Sequence, residues 1–377
     1  MAKIRFVFSN PRHHLEMMTP VARELARSGH DCAMISLAEL RGFETPAGIT
    51  RAIPLRVRKS PSSGAAGPGK MSAKRRAMQE LVWAALAPRL RWLLRGADAV
   101  VVPNDAAYPY DHLARALRRR KLPFVLLQEG IRFPLPNEHA AGSAYGAGGA
   151  RAICAWGEAS AEHFRAVAPG ATIVVTGNPR FDAIDPTAFD APARALLAKL
   201  GLDETRRPLL YLSNPIDDQG FCSPAEKLAL FEGFLRDAAP AVRDRGVLVK
   251  LHPREDVAAY RAIAAKTPNV HVIDDAPLFT VLAAGAAAVV LASTVGLEAL
   301  VFGLPLGVLA IPGHGHVFDY VASGAAMPLA LGPELARSIA TLLATKGSPI
   351  VATYLERHLA HRGTASAAVA AAAAGGA

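Results

Sequence analysis

Short apolar runs alternate with longer segments of mixed apolar and polar residues along most of the chain. The run KIRFVFS is followed by HHLEMMTPVARELARSG, in which apolar residues recur at helical spacing, and then by the run HDCAMIS. Short apolar runs bounded by polar residues predict buried strands, and the intervening segments predict crossover helices. The pattern therefore predicts an α/β protein built on parallel sheets.

The alternation restarts part-way along the chain, which predicts two similar halves. It runs from ADAVVVP to ATIVVTG and begins again at PLLYLS. We predict an N-terminal doubly wound domain over residues 1–168, a second over 169–345, and a C-terminal helix with a low-complexity tail over 346–377. The tail is expected to be disordered or a frayed helix, and residues 60–70 and 137–150 to be flexible loops.

Composition limits the classes of protein that fit. Just over half of the 377 residues are apolar, which excludes global disorder. The three cysteines form no CxxC pair, which suits a reducing compartment and gives no metal-binding framework. The longest apolar run, FTVLAAGAAAVVLAS, is too short to span a bilayer and no signal peptide is recognisable, so a cytoplasmic location is expected.

The chain is basic, with a net charge of +10, and the excess is clustered. One cluster, at residues 74–95, interleaves arginine with leucine, valine and tryptophan at roughly helical spacing. Such a helix either contacts an anionic membrane surface from the inner face or packs on the core with a solvated basic face, and we prefer the second interpretation. No nucleic-acid motif accompanies the charge, so nucleic-acid binding is not expected.

Ligands of doubly wound sheets bind beyond the carboxyl ends of the strands, and the loops there carry the candidate residues. Glycine permits close backbone approach, arginine pairs with phosphate, and a helix N-terminus exposes amides to an anion. Taken alone, each loop also has an ordinary structural explanation, namely a glycine turn, a histidine that caps a helix, or a common N-cap. The candidates for binding an anion are Gly177, Asn178 and Arg180 in GNPR, Ser213, then Lys250, His252 and Arg254 in KLHPRED, and Ser293, Thr294, Gly296 and Glu298 in STVGLE.

The first half carries a carboxylate in a comparable place. Glu129 follows the apolar run VLLQ and precedes a glycine. A carboxylate at a strand end can act as a general base, although a lone one is more often an exposed loop acid. This layout suits a transferase that holds a nucleotide in one domain and an acceptor in the other, across an interdomain cleft.

Together and in this order, the motifs resemble the GT-B glycosyltransferase superfamily and its HP-motif branch. That branch includes capsule Kdo transferases, bacterial sialyltransferases and CDP-glycerol glycerophosphotransferases. GNPRFD is similar to the G-x-P-R-x-D loop of the last group, VKLHPRE to the HP motif, and STVGLEALVFGLPLGVL and HVFDY to stretches of capsule enzymes. The resemblance implies two Rossmann-like domains and a donor-phosphate contact by His252.

Two residues compete for the role of general base. LQEGIRFP resembles the stretch that carries the base in capsule Kdo transferases, which implies Glu129. HLEMMTPVARELARSGH resembles the opening helix of UDP-dependent glycosyltransferases and places His14 where their catalytic histidine lies. There, however, His13 replaces the usual glycine and Met17 the usual proline, so we prefer Glu129 and keep His14 as the alternative.

The resemblance implies transfer of a sugar from a CMP-, CDP- or UDP-type donor to a hydroxyl of a saccharide or lipid-linked acceptor, in surface polysaccharide or glycoconjugate synthesis. His252 and the amides at Ser293 and Thr294 would neutralise the leaving phosphate. No DxD-like pair ends a strand, so no metal and no cofactor are expected. The alternatives are a UDP-N-acetylglucosamine 2-epimerase-like enzyme, which shares the fold, and a non-catalytic nucleotide- or carbohydrate-binding protein.

Overall fold

The computed structural model describes residues 1–48, 51–52, 73–131 and 145–375. These residues form two compact units. The first contains the described residues up to 184 together with 356–375, and the second contains residues 185–355. Each unit is built on its own parallel sheet.

Strands and helices alternate along the described residues, as the hydrophobic pattern predicts. The strands are β1 (Lys3–Phe8), β2 (Asp31–Ser36), β3 (Arg51–Ala52), β4 (Ala99–Val102), β5 (Phe124–Leu127), β6 (Ala152–Ala155), β7 (Thr172–Val175), β8 (Leu209–Leu212), β9 (Val247–Lys250), β10 (Val270–Ile273), β11 (Ala287–Val290), β12 (Leu306–Leu309) and β13 (Met327–Leu329). The helices are α1 (His13–Arg27), α2 (Ala73–Leu93), α3 (Tyr110–Arg119), α4 (Glu158–Val167), α5 (Asp190–Lys199), α6 (Pro224–Val242), α7 (Val257–Ala264), α8 (Leu278–Ala284), α9 (Val295–Val301), α10 (Leu335–Ala344), α11 (Pro349–His358) and α12 (Ala365–Ala374).

Both sheets are doubly wound, which confirms the predicted fold class. The first has the strand order β3-β2-β1-β4-β5-β6-β7 and the second β10-β9-β8-β11-β12-β13, and all paired strands are parallel. The chain leaves the centre of each sheet in one direction and then returns to build the other side. The order therefore reverses between β1 and β4 and between β8 and β11, where such folds bind ligands.

Central strands are apolar on both faces because helices cover them on both sides. The strands AVVV of β4, FVLL of β5, LLYL of β8 and AAVV of β11 are buried throughout. Continuous apolar runs of this kind are typical of parallel sheets, whose crossover connections place helices on each face. The polar residues of each unit are consequently concentrated in the loops at the strand ends.

The C-terminal segment returns to the first unit and packs closely on it. A Cβ atom added to Gly177 would lie 2.1 Å from the carbonyl oxygen of Ala360, so only glycine, here at φ +79°, admits this approach. The Asp182 carboxylate then accepts hydrogen bonds from the backbone N–H groups of Gly363, Ala365 and Ser366 at 3.1, 2.8 and 2.6 Å. These bonds satisfy the free amides at the start of α12.

This packing differs from the expected organisation in two respects. The tail was expected to be disordered or frayed, but α12 buries Ala365, Val369, Ala370 and Ala373. The boundary expected between residues 168 and 169 lies inside the first unit, because β7 pairs with β6. Alanine and glycine alone give no periodic signal, so the composition of the tail did not reveal its docking.

The two loops expected to be flexible lie largely outside the described residues. Residues 60–70 and 137–144 belong to the undescribed ranges. Residues 145–150 are described, and they are anchored because the N–H groups of Gly146 and Gly148 each donate to the buried Asp105 carboxylate at 2.8 Å. Among the helices that the structure describes, none is long and apolar enough to cross a membrane.

We predict that Asp182→Ala loosens α12. Loss of a carboxylate that accepts three amide hydrogen bonds should lower the free energy of unfolding by about 1–2 kcal/mol. Hydrogen exchange of residues 365–374 should accelerate while that of β4 and β5 changes less. Asp244→Ala removes an exposed carboxylate 3.9 Å from Arg206 and serves as the control. Equal effects of the two variants would contradict the capping role.

Candidate functional site

A cluster of polar residues in the first unit lies where three adjacent strands end. Asn104 follows β4, Glu129 follows β5, and His14 lies in the first turn of α1, which follows β1. Because these strands are neighbours in one parallel sheet, the loops after them share one edge. The structure thus brings together the two residues that compete for the role of base.

The Glu129 carboxylate is held by two side chains. Its Oε1 atom lies 2.9 Å from Nε2 of His14, and its Oε2 accepts a hydrogen bond from Nδ2 of Asn104 at 3.1 Å. The backbone is fixed as well, because the N–H of Glu129 donates to the Tyr145 hydroxyl at 2.8 Å and its carbonyl lies 2.8 Å from Nε2 of His13. These contacts give the carboxylate one defined orientation.

Hydrogen bonds at the other ring nitrogen define the role of His14. The backbone N–H groups of Ser9 and Asn10 both donate to Nδ1 at 3.2 Å, so in the neutral ring the proton is on Nε2 and is donated to Glu129. The His14 residue is 1% exposed, whereas the Glu129 side chain is 32% exposed. Glu129 is therefore the more accessible of the two candidate bases, and the buried His14 ring orients its carboxylate.

Opposing effects act on the pKa of Glu129. Burial alone would raise it, because burial disfavours the charged carboxylate. The hydrogen bond from His14, the proximity of the two imidazoles and the hydrogen bond from Asn104 outweigh burial and hold the pKa of Glu129 below its usual range. The side chain is therefore ionised at neutral pH and can accept a hydrogen bond from a hydroxyl group.

The stabilising effect of Glu129 should depend on pH. Because its folded-state pKa lies below the ordinary value of about 4.3, the stability it contributes is fully present above that value and is lost as the pH falls towards the folded-state pKa. Thermal unfolding of the wild type and Glu129→Gln between about pH 7 and about pH 3 measures this.

We expect the difference in Tm between these two proteins to shrink as the solution is acidified. Glu204→Gln, which alters an exposed glutamate in the second unit, controls for the general effect of acid. A difference that stays constant with pH would show that the hydrogen bonds do not depend on the ionised carboxylate.

A second polar cluster lies at the KLHPRED loop of the second unit. The Glu255 carboxylate is fully buried, and its Oε1 accepts hydrogen bonds from Ser213 Oγ at 2.7 Å and Tyr260 Oη at 2.8 Å, with Lys227 Nζ 3.5 Å away. Its Oε2 accepts the backbone N–H of His252 at 2.9 Å. A buried carboxylate is tolerated only with such partners, so Glu255 ties the HP loop to the interior.

Two further contacts join this cluster to neighbouring strand ends. Lys227 also pairs with Asp217 at 2.7 Å, which links α6 to the loop after β8. Asn214 in that loop donates through Nδ2 to the carbonyl of Ala292 at 2.7 Å, which links it to the end of β11. The loops after β8, β9 and β11 are thus connected by buried polar contacts.

The His252 ring is a neutral hydrogen-bond donor rather than a positively charged group. Its Nδ1 accepts the backbone N–H of Arg254 at 3.2 Å, which places the proton of the neutral ring on Nε2. Burial and, second, the positive charge of Arg254 lower the pKa of His252 below its ordinary value. We expected this ring to neutralise phosphate charge, but a neutral ring instead offers one hydrogen bond from Nε2.

Two cationic side chains accompany this ring. Arg254 is half-exposed and pairs with Asp218 at 3.1 Å, and Lys250 is half-buried at the end of β9. Arg254 and Lys250 are thus the cationic side chains that this loop carries beside the His252 ring. A phosphate at this loop would meet a hydrogen-bond donor and two cations.

Removal of the Arg254 charge should raise the pKa of His252. Because burial is the larger cause of the depression, Arg254→Gln should move the pKa upwards without restoring the ordinary value of about 6.5. NMR titration of the imidazole nitrogens measures the shift. Arg261→Gln removes an arginine that pairs with Asp274 and should leave the His252 pKa unchanged. No difference between the two variants would contradict the charge effect.

The STVGLE segment forms the start of α9, and its glycine has a packing role. A Cβ atom on Gly296 would lie 2.7 Å from the ring of Tyr320, whose hydroxyl donates to the carbonyl of Ser293 at 3.2 Å. Thr294 is half-buried and Glu298 is 5% exposed. We expected Gly296 to let a ligand approach the backbone, but in the structure Tyr320 of the same unit packs there.

The GNPR loop belongs to the first unit, contrary to the expectation that it joins the other two anion-binding loops in the second half. Gly177 faces the carbonyl of Ala360, Asn178 is buried and accepts the N–H of Arg180 at 3.0 Å, and Arg180 Nε pairs with Glu16 at 2.6 Å. These residues hold α1 and the C-terminal segment in place. We therefore expected this motif in the wrong half of the chain, because its glycine packs against Ala360, a residue that is distant in sequence.

Sequence reasoning missed three residues that shape the clusters, namely Asn104, Lys227 and Glu255. Glu255 lies two residues after the HP pair and was not among the candidate residues. Lys227 lies in the first turn of α6, where a buried lysine has no sequence signature. Within the described ranges, no group of three or more His, Cys, Asp and Glu side chains has the geometry to hold a metal ion.

Among the comparisons with known proteins, the comparison with solved structures gives matches. No protein-family model matches the chain, and no curated protein matches its sequence. UDP-GlcNAc 2-epimerase from Neisseria meningitidis bound to UDP-GlcNAc is similar in structure, with a TM-score of 0.67, 15% identity, and coverage of 97% of this chain and 98% of that one. This similarity extends over both units.

Two transfer enzymes are also similar in structure. A variant of the wall teichoic acid polymerase TagF has a TM-score of 0.59 and 11% identity, covering 98% of this chain and 87% of that one. The spinosyn rhamnosyltransferase SpnG has a TM-score of 0.56 and 18% identity, covering 97% and 98%. This chain has a GT-B-like fold. At these identities the likeness concerns the fold, and membership of the HP-motif branch stays a prediction.

Proposed function

We propose that this protein is an enzyme that acts on a nucleotide-activated sugar. The observation that carries the proposal is the HP loop at the carboxyl end of a parallel sheet, where a buried carboxylate accepts the backbone N–H of His252. The neutral imidazole of His252 has its N–H on Nε2, and the same loop carries the half-exposed guanidinium of Arg254, which pairs with Asp218. A hydrogen-bond donor beside a cation suits a phosphate oxygen, and this edge of the sheet is where doubly wound folds bind nucleotides. The structural neighbours support a sugar nucleotide as the ligand.

Epimerisation at C2 of UDP-N-acetylglucosamine is the reaction that the comparisons favour. The epimerases have the higher TM-scores among the similar structures and cover nearly the whole of both chains. Inversion at C2 requires removal of a proton from one face and its return to the other, so it needs groups that reach both faces. Glu129 would be one such group.

Glycosyl transfer is the reaction that the arrangement around Glu129 favours. Three other carboxylates are already engaged by partners within the protein. Asp105 in the first unit accepts two backbone amides, and in the second unit Asp217 and Glu255 are paired with Lys227. Glu129 is a partly exposed carboxylate, and among the described residues the side chains that hydrogen-bond to it are His14 and Asn104. Transfer needs a single base, which takes the proton of an acceptor hydroxyl while that oxygen attacks the anomeric carbon and the nucleotide leaves on its phosphate oxygen.

For transfer we propose a CMP-, CDP- or UDP-type donor and a saccharide or lipid-linked acceptor, without a metal ion. The leaving phosphate would receive the N–H of His252 and the charge of Arg254. The histidine remains neutral in this arrangement because burial and, second, repulsion by Arg254 both lower the pKa of His252.

One experiment separates the two reactions and a binding protein without activity. The wild type is incubated in D2O with CMP-, CDP-, UDP-, GDP- and dTDP-sugars. An epimerase incorporates deuterium at C2 and forms the epimer, whereas a transferase releases nucleotide without exchange at C2, slowly in the absence of an acceptor. A donor that raises Tm but undergoes neither change would indicate binding alone and would contradict the proposal.

Glu129→Gln should reduce turnover by about a hundredfold or more in either reaction, because it removes the proton acceptor. Nucleotide affinity should change less than twofold, since the HP loop belongs to the other unit. His14→Gln should have a smaller effect on kcat. Turnover retained by Glu129→Gln and lost in His14→Gln would reverse the assignment of the base.

A further inference from the structure

The outer side of α2 carries an apolar stripe that folding of the first unit does not require. The stripe consists of Met78, Leu81, Ala85, Pro88 and Trp92, all exposed, with Met78 at 55%, Leu81 at 67% and Trp92 at 71%. Steps of three and four residues place them on one side of the helix over roughly 21 Å. Isolated exposed apolar residues are ordinary, but an aligned set that includes tryptophan indicates a contact surface.

The opposite side of α2 already supplies the contacts with the core. Leu86, Leu90, Leu93 and Leu94 are buried in the core of the first unit, and Trp83 packs against that core. The helix is therefore fixed by its inner face. Apolar residues therefore lie on both faces of α2.

Basic side chains surround the stripe. On α2 and the turn after it, the exposed cations are Lys74, Arg76, Arg89, Arg91 and Arg95. The neighbouring helix α3, whose His112 ring lies 5.5 Å from Trp83, adds the exposed residues Arg115, Arg118 and Arg119. The nearby acids are engaged, because Glu80 contacts His112 at 3.1 Å and Asp111 contacts both His112 and Arg115. The surface is therefore strongly positive.

We propose that the α2 stripe docks on an anionic lipid surface. Tryptophan and leucine enter the boundary between headgroups and acyl chains, while the flanking arginines pair with lipid phosphates. A second copy of this chain is disfavoured because it would bring arginine against arginine. A partner helix is disfavoured because Ala85 and Pro88, which lies inside α2, have short side chains and make the middle of the stripe shallow. This proposal does not depend on which sugar reaction the protein performs.

The test is co-sedimentation with vesicles of phosphatidylcholine alone and of phosphatidylcholine with about one third phosphatidylglycerol. The full-length wild type should bind the anionic vesicles, bind the neutral ones at least about tenfold more weakly, and release at high salt as the charges are screened. The double variant Leu81→Glu/Trp92→Glu should lose at least about tenfold in binding to the anionic vesicles.

Ile350→Glu is the matched control, because it replaces an exposed apolar residue of the second unit, 50% exposed, with the same charge. It should bind like the wild type, and all variants should keep the Tm and nucleotide affinity of the wild type. Absence of wild-type binding at low salt, equal binding by the double variant, or a concentration-dependent dimer that the double variant abolishes would overturn the proposal.

Discussion

Both sheets of this protein are parallel and covered by helices on both faces, and this constraint determines where chemistry can occur. Central strands such as β4, β5, β8 and β11 are buried throughout and carry apolar side chains apart from the hydroxyl of Tyr211, because a buried polar group without a partner is costly. Polar residues therefore collect in the loops at the strand ends. At the reversal of strand order in each sheet, adjacent loops diverge and leave room for a ligand.

In each unit one buried polar residue organises such a loop. His14 accepts two backbone amides on one nitrogen and faces Glu129 with the other, so the carboxylate is oriented by a ring that is itself buried. Glu255 does the same for His252, since it accepts the backbone N–H of that residue while Ser213, Tyr260 and Lys227 compensate its charge. In both places the exposed group is defined by a buried neighbour, which is how a preorganised polar site is built.

The fold was largely predictable because its signal is local. Uninterrupted apolar runs separated by amphipathic segments indicate parallel strands and crossover helices without any long-range knowledge. The candidate loops also followed, because the rule about strand ends requires only the order of elements. This rule identified His252 and Glu129 as candidates, since each lies two residues beyond the end of a strand.

What could not be predicted depends on contacts between residues far apart in sequence. Gly177 and Asp182 looked like part of a phosphate-binding loop, but they accommodate Ala360 and the start of α12, which lie nearly two hundred residues away. Gly296 is required by the ring of Tyr320. The neutral state of His252 likewise depends on burial and on the charge of Arg254. Neither effect can be recognised from a sequence motif.

The central claim is that Nε2–H of His252 donates to a nucleotide phosphate, and calorimetric binding of UDP and CMP to three proteins tests it most directly. The account predicts that His252→Ala binds at least one of these nucleotides about tenfold more weakly than the wild type does, with an unchanged Tm. His252→Gln, whose amide can still donate, should recover part of the affinity. Equal affinity of His252→Ala and the wild type for both nucleotides would contradict the account.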